Sequence, residues 1–77
     1  MVAEEVTIGE LARISGQRYS TLKYYTELGI LPYRATEANL TRRFDRQASL
    51  ARLEEIKRLK EDGYSMHDIC QHYGQRE

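Results

Sequence analysis

Between residues 17 and 46 the chain carries Arg18, Lys23, Arg34, Arg42, Arg43 and Arg46 against Glu27, Glu37 and Asp45, a local charge of +3. The flanks reverse the sign. Arg13 against Glu4, Glu5 and Glu10 leaves −2 over residues 1–16, and five bases against six acids leave −1 over residues 47–77, so the net charge is zero. A basic stripe on a neutral body is the electrostatic footprint of a protein that meets phosphates. Ser20, Thr21 and Tyr24 lie within that stripe and offer hydroxyls that both donate and accept hydrogen bonds. Cationic side chains hold phosphates, and short polar ones read base edges. The chemistry these residues fit is nucleic-acid binding.

Other chemistries find less support. His67, Cys70 and His72 could ligate zinc, but their spacing matches no strong zinc signature, and they read as polar and small residues of an ordinary helix. Cys70 is a single cysteine, which suits a reducing compartment and reads as a small, partly buried residue. No nucleophile–base pair, glycine-rich phosphate loop or cofactor motif is present, which points away from an enzyme. No run approaches the ~20 apolar residues that span a bilayer, and no signal peptide opens the chain, so a cytoplasmic, nucleoid-associated protein without a membrane partner is expected.

The elements that must position the stripe follow from local signals. At 77 residues the chain is one domain, 1–77. Thr7 and Glu10 form a capping box, after which Ile8, Leu11, Ala12 and Ile14 give a short apolar face and Gly16 a left-handed stop. A second helix over about 18–29 places Leu22, Tyr25 and Leu28 on one side, where Tyr25 reads as core, and stops at Gly29. Residues 6–29 are thus a helix-turn-helix whose outer face carries Arg18, Ser20, Thr21, Lys23 and Tyr24. Ile30-Leu31-Pro32 returns the chain to the core.

Residues 33–44 read as a β-hairpin, Tyr33–Thr36 against Leu40–Phe44, with Glu37, Ala38 and Asn39 at its tip and Arg34, Arg42 and Arg43 on its arms. Residues 46–73 hold two more helices. Asp45 caps the third, Leu50, Leu53, Ile56 and Leu59 form its stripe, and Gly63 closes it. Arg52, Lys57, Arg58 and Lys60 read as its solvated face. Ser65 and Asp68 start the fourth, which Ile69 and Tyr73 dock on the third. The expected fold is mainly α: a winged helix-turn-helix of four short helices with a two-stranded β-hairpin wing.

Several blocks, by their joint spacing, carry a closer resemblance. Thr7-Ile8-Gly9-Glu10-Leu11-Ala12, then Thr21-Leu22-Lys23-Tyr24-Tyr25, then Leu28-Gly29-Ile30-Leu31-Pro32, resemble the opening of MerR-family regulators. Arg42-Arg43-Phe44-Asp45 is similar to that family's wing end, and Leu53, Ile56, Leu59, Asp62-Gly63-Tyr64-Ser65 and Asp68-Ile69 to its later helices. The resemblance covers residues 6–70. It implies double-stranded DNA as the partner, with Lys23 and Tyr24 on the backbone, Arg18, Ser20 and Thr21 nearer the bases, and Arg42 and Arg43 on flanking phosphates.

It also implies RNA polymerase at a promoter as a further partner, and a dimer formed through a segment missing here or on DNA. Two departures stand out. Gln17 and Arg18 replace an apolar residue and a small cap before the recognition helix, and Leu40 and Thr41 replace the wing's usual glycine and tyrosine. Two alternatives use the same fold: an excisionase-like or chromosome-anchoring architectural DNA binder, and a protein-interaction module that has lost DNA affinity.

Overall fold

A computed structural model describes residues 4–35 and 42–74; the hairpin tip at Glu37, Ala38 and Asn39, with Thr36, Leu40 and Thr41, lies outside them. Along the chain run β1 (Glu5–Val6), α1 (Ile8–Ser15), α2 (Tyr19–Leu28), β2 (Arg34–Ala35), β3 (Arg42–Asp45), α3 (Arg46–Glu61) and α4 (Met66–Gly74).

The capping box at α1 is formed as its spacing requires. Glu10 N–H donates to Thr7 Oγ1 at 3.2 Å, and Thr7 N–H donates to the Glu10 carboxylate at 2.9 Å. Gly16, at φ 76°, takes the left-handed backbone that ends α1 and lets the chain turn within two residues into α2. Gly29 ends α2 the same way at φ 81°. Ile14 departs from the sequence reading: it is 42% exposed, because α1 turns it beyond the arc that Leu11 and Ala12 bury.

The wing is broader than a hairpin. β3 pairs antiparallel with β2 through Arg34↔Arg43 and Ala35↔Arg42, and on its other edge with β1 through Glu5↔Asp45 and Val6↔Phe44. The sheet order is β1-β3-β2. The third strand ties the start of the domain to the wing, and Val6 and Phe44 are carried into the core on its inner face.

Asp45 caps α3 by accepting from Ala48 N–H at 2.8 Å. α3 buries Leu53 and Ile56 and half-buries Leu50 and Leu59. Ser65 and Asp68 exchange hydrogen bonds at the start of α4, 3.0 and 3.1 Å long. Leu11, Leu22, Ile30, Leu31, Phe44, Ile56 and Ile69 meet at the centre, fully buried. One comes from α1, one from α2, two from the following turn and one each from β3, α3 and α4, so one core fixes the angle between the helix-turn-helix and the wing. Each such side chain gains roughly 1.5–3 kcal/mol on burial, most of it offset in so small a domain by chain entropy.

Candidate nucleic-acid interface

α2 has two unlike sides. Leu22, Tyr25 and Thr26 are buried against the core, while Ser20, Lys23, Tyr24 and Glu27 are exposed and Thr21 is half-buried. Ser20, Lys23 and Glu27 recur at i, i+3 and i+7, and Thr21 and Tyr24 at i and i+3, so the helical repeat sets them side by side on the solvent side. Arg18 is the residue before the first turn of α2. Its extended backbone (φ −74°, ψ 146°) suits a cap, but its side chain makes no capping hydrogen bond and stays exposed. Among the described residues no carboxylate pairs with Arg18 or Lys23.

Two residues of this surface were not singled out in the sequence. Tyr19, in the first turn, is 55% exposed. Glu27 places a carboxylate one turn after Lys23. Both would have been visible as outward positions on a helical wheel. A tyrosine before a stripe and a lone acid within it carry no motif.

The wing arginines are not equivalent. Directly opposed strand residues share a face and neighbours alternate, so Glu5, Arg43, Asp45 and Arg34 lie on the outer face, and Val6, Phe44, Ala35 and Arg42 on the inner one. On the outer face Arg34 grips Glu5 with two hydrogen bonds, Nη2 to Oε1 at 2.6 Å and Nε to Oε2 at 3.0 Å. That grip, with the charges of Arg34 and Arg43, holds the Glu5 carboxyl below the usual carboxylate range. The Glu10 carboxyl is lowered too, first by the Thr7 N–H it accepts, then by the Thr7 hydroxyl and the charges of Arg13 and Arg43. Arg43 therefore sits in an acidic corner without a close ion pair among the described residues.

On the inner face Arg42 turns toward α2. Its Nη1 donates to Thr26 Oγ1 at 3.2 Å, and its guanidinium lies 4.8 Å from the centre of the Tyr33 ring. Thr26 Oγ1 in turn donates to the Lys23 carbonyl at 2.6 Å. The wing is thus laced to the last turn of α2 through the hydroxyl of the buried Thr26.

Arg52 corrects the sequence reading that placed it on a solvated face. It is half-buried, and its Nη1 donates to the Ile30 carbonyl at 2.6 Å. Lys57, Arg58 and Lys60 are exposed. Among the described residues no group of three or more histidine, cysteine or acidic side chains could hold a metal ion. Nor is any described helix long and apolar enough to cross a membrane.

Residues 6–72 match the family model described as MerR HTH family regulatory protein. This chain is a member of the MerR family. It is similar to nodulation protein NolA of Bradyrhizobium elkanii, 37% identical over 62 residues, which are 80% of this chain and 28% of that protein. The chain therefore spans less than a third of the relative it matches. No solved structure matches it significantly. Membership assigns the domain to DNA-binding transcription regulators.

Proposed function

We propose that this MerR domain binds double-stranded DNA sequence-specifically, with α2 in the major groove and the wing along the flanking backbone. The observation that carries the reading is the two-sidedness of α2: one side is locked into the core, and the other offers Arg18, Ser20, Thr21, Lys23 and Tyr24 to solvent. A helix held that rigidly is a suitable presenter for the major groove, where every base pair shows a distinct pattern of donors and acceptors. Arg18, Ser20 and Thr21, at the leading end, contact base edges. Lys23 and Tyr24 contact the backbone, which fixes register without reading sequence.

In the wing, Arg43 is the phosphate contact. Arg42 acts by holding the wing against α2, and Arg34 contributes little charge because Glu5 already neutralises it. Two domains on DNA, joined by chain outside this domain or by the duplex itself, would read paired half-sites and bring the regulator to a promoter and its polymerase.

The test is a duplex selected by the chain from a randomised library, compared with random-sequence duplex across a salt series. Sequence-specific binding predicts at least a thousandfold preference for the selected duplex, the low end of about 10³–10⁷ for specific binders. Equal, strongly salt-dependent affinity for both duplexes would favour an architectural binder. Absence of binding at low salt would reject the DNA reading.

A further inference from the structure

One side chain of α3 touches both the turn that follows α2 and the last turn of α4. Arg52 projects from α3. Its Nη1 donates to the carbonyl of Ile30, two residues past the end of α2, at 2.6 Å. The same guanidinium lies 4.0 Å from the centre of the Tyr73 ring, in the last turn of α4, and its Nε is 4.0 Å from Glu55 Oε1. The Tyr73 hydroxyl donates to that same Glu55 oxygen. Burial, reinforced by the hydrogen bond to Glu55, pushes the Tyr73 phenol up to about 12, so it remains a donor at every working pH.

The Ile30 carbonyl sits at a sensitive point. Ile30 N–H donates back to the Tyr25 carbonyl at 3.1 Å, so the turn that ends α2 is fixed from one side by α2 itself and from the other by Arg52. The core anchor of α4 is Ile69, one turn earlier, which leaves Tyr73 to set where the last turn lies. Arginine suits this place because its flat fork stacks on an aromatic face while an edge N–H reaches a carbonyl; lysine can do one or the other.

We propose that Arg52 is a positioning residue that couples the last turn of α4 to the exit of the recognition helix. Displacing Tyr73 then loosens the hold on Ile30 and lets α2 shift. Whatever engages the end of α4 would thereby change DNA affinity without touching DNA. The affinity half of this inference rests on the DNA-binding reading; the mechanical half does not.

The test uses the full chain with Tyr73→Leu, Arg52→Lys and the double variant, read by amide hydrogen exchange and by binding to the selected duplex. The Ile30 amide should exchange roughly tenfold faster in each single variant, with the Leu11 and Ile56 amides unchanged, because the opening is local. The double variant should be no faster than either single one, the mark of two groups acting as a unit. Affinity should fall by a similar factor, about five- to tenfold, in all three, with an unaltered salt slope because no phosphate contact is lost.

Uniform acceleration of every core amide would make the cluster merely structural and overturn the proposal. So would an unchanged Ile30 amide in Tyr73→Leu, or wild-type behaviour of Arg52→Lys in both readouts. If the wild-type chain selects no duplex, the DNA reading fails alone, and the exchange pattern still decides the coupling.

Discussion

The recognition helix and the wing carry similar chemistry but present it differently. At the start of α2 and along it the cations Arg18 and Lys23 are exposed, with no carboxylate partner among the described residues. On the wing Arg34 is held by Glu5, and Arg42 is held by Thr26 and Tyr33. Counting charges would rank the wing above the helix. Counting charges that are free to meet a phosphate reverses the order. A guanidinium in a bidentate pair keeps free N–H groups, but its charge is already offset by the carboxylate it holds, so a basic segment attracts phosphates only to the extent that its own fold leaves its charge unspent.

The comparison is most exposed at the leading end of α2. Arg18→Ala should remove a base contact worth ~1–3 kcal/mol of discrimination and alter the preferred base at one position of a binding-selection profile. Non-specific affinity should stay nearly intact. If the variant scales all sites down equally, Arg18 is a phosphate contact and specificity rests on Ser20, Thr21 or DNA shape.

Arg42 should show its structural role in thermal unfolding. Arg42→Lys keeps the charge but loses the fork to Thr26 and the face of Tyr33. A loss of about 1–2 kcal/mol is expected, a drop in Tm of roughly 4–15 °C for a domain of this size, with the salt slope of DNA binding unchanged. If Arg42→Ala instead made the slope shallower by about 0.9 at unaltered Tm, Arg42 would return to the phosphate contacts.

Glu5→Gln sharpens the contrast from the other side. It frees Arg34, so the salt slope should steepen by up to about 0.9 and affinity at low salt should rise a few-fold. If Glu5→Gln leaves both values untouched, Arg34 does not face DNA at all.

Acid gives the smallest effect. Glu5, Glu10 and Asp68 all lie below their ordinary values of 4.5, 4.5 and 3.8, chiefly through hydrogen bonds from Arg34, from Thr7 N–H and from Ser65 N–H respectively. A depressed carboxyl stabilises the fold above its unfolded pKa and loses that contribution as pH falls through the folded one. Thermal stability should therefore be level from neutral pH to about 5 and decline below 4.5. Glu5→Gln should soften the decline, and an identical profile in that variant would detach Glu5 from the wing's stability.

What the sequence made legible is what is local. Thr7 with Glu10, Ser65 with Asp68 and Asp45 with Ala48 act across three residues, and each forms as its spacing implies. Tyr25 repeats with Leu22 on the buried side of α2 and belongs to the core. What escaped depends on contacts distant in the chain. β1 is two residues long, too short for any alternation to show, and its partner lies some forty positions away. Arg34 reads as a free cation until Glu5, 29 residues earlier, is folded against it. Arg52 sits on the polar side of α3 by periodicity, and no periodicity can reveal the Ile30 carbonyl 22 residues before it. The outward side of α2 was legible because one helix carries Ser20, Thr21, Lys23 and Tyr24, with Arg18 just before it. Their division from the wing was not, because that division is made by tertiary partners.

The central claim is that the charge available to DNA lies on α2 more than on the wing's Arg34, and the salt dependence of binding measures it directly. On the selected duplex, Lys23→Ala should make the slope of log K against log salt shallower by about 0.9, so that the affinity lost between 50 and 200 mM salt shrinks by about threefold. Arg34→Ala should leave the slope within error of wild type. Equal changes in the two variants, or a change in Arg34→Ala alone, would contradict the account.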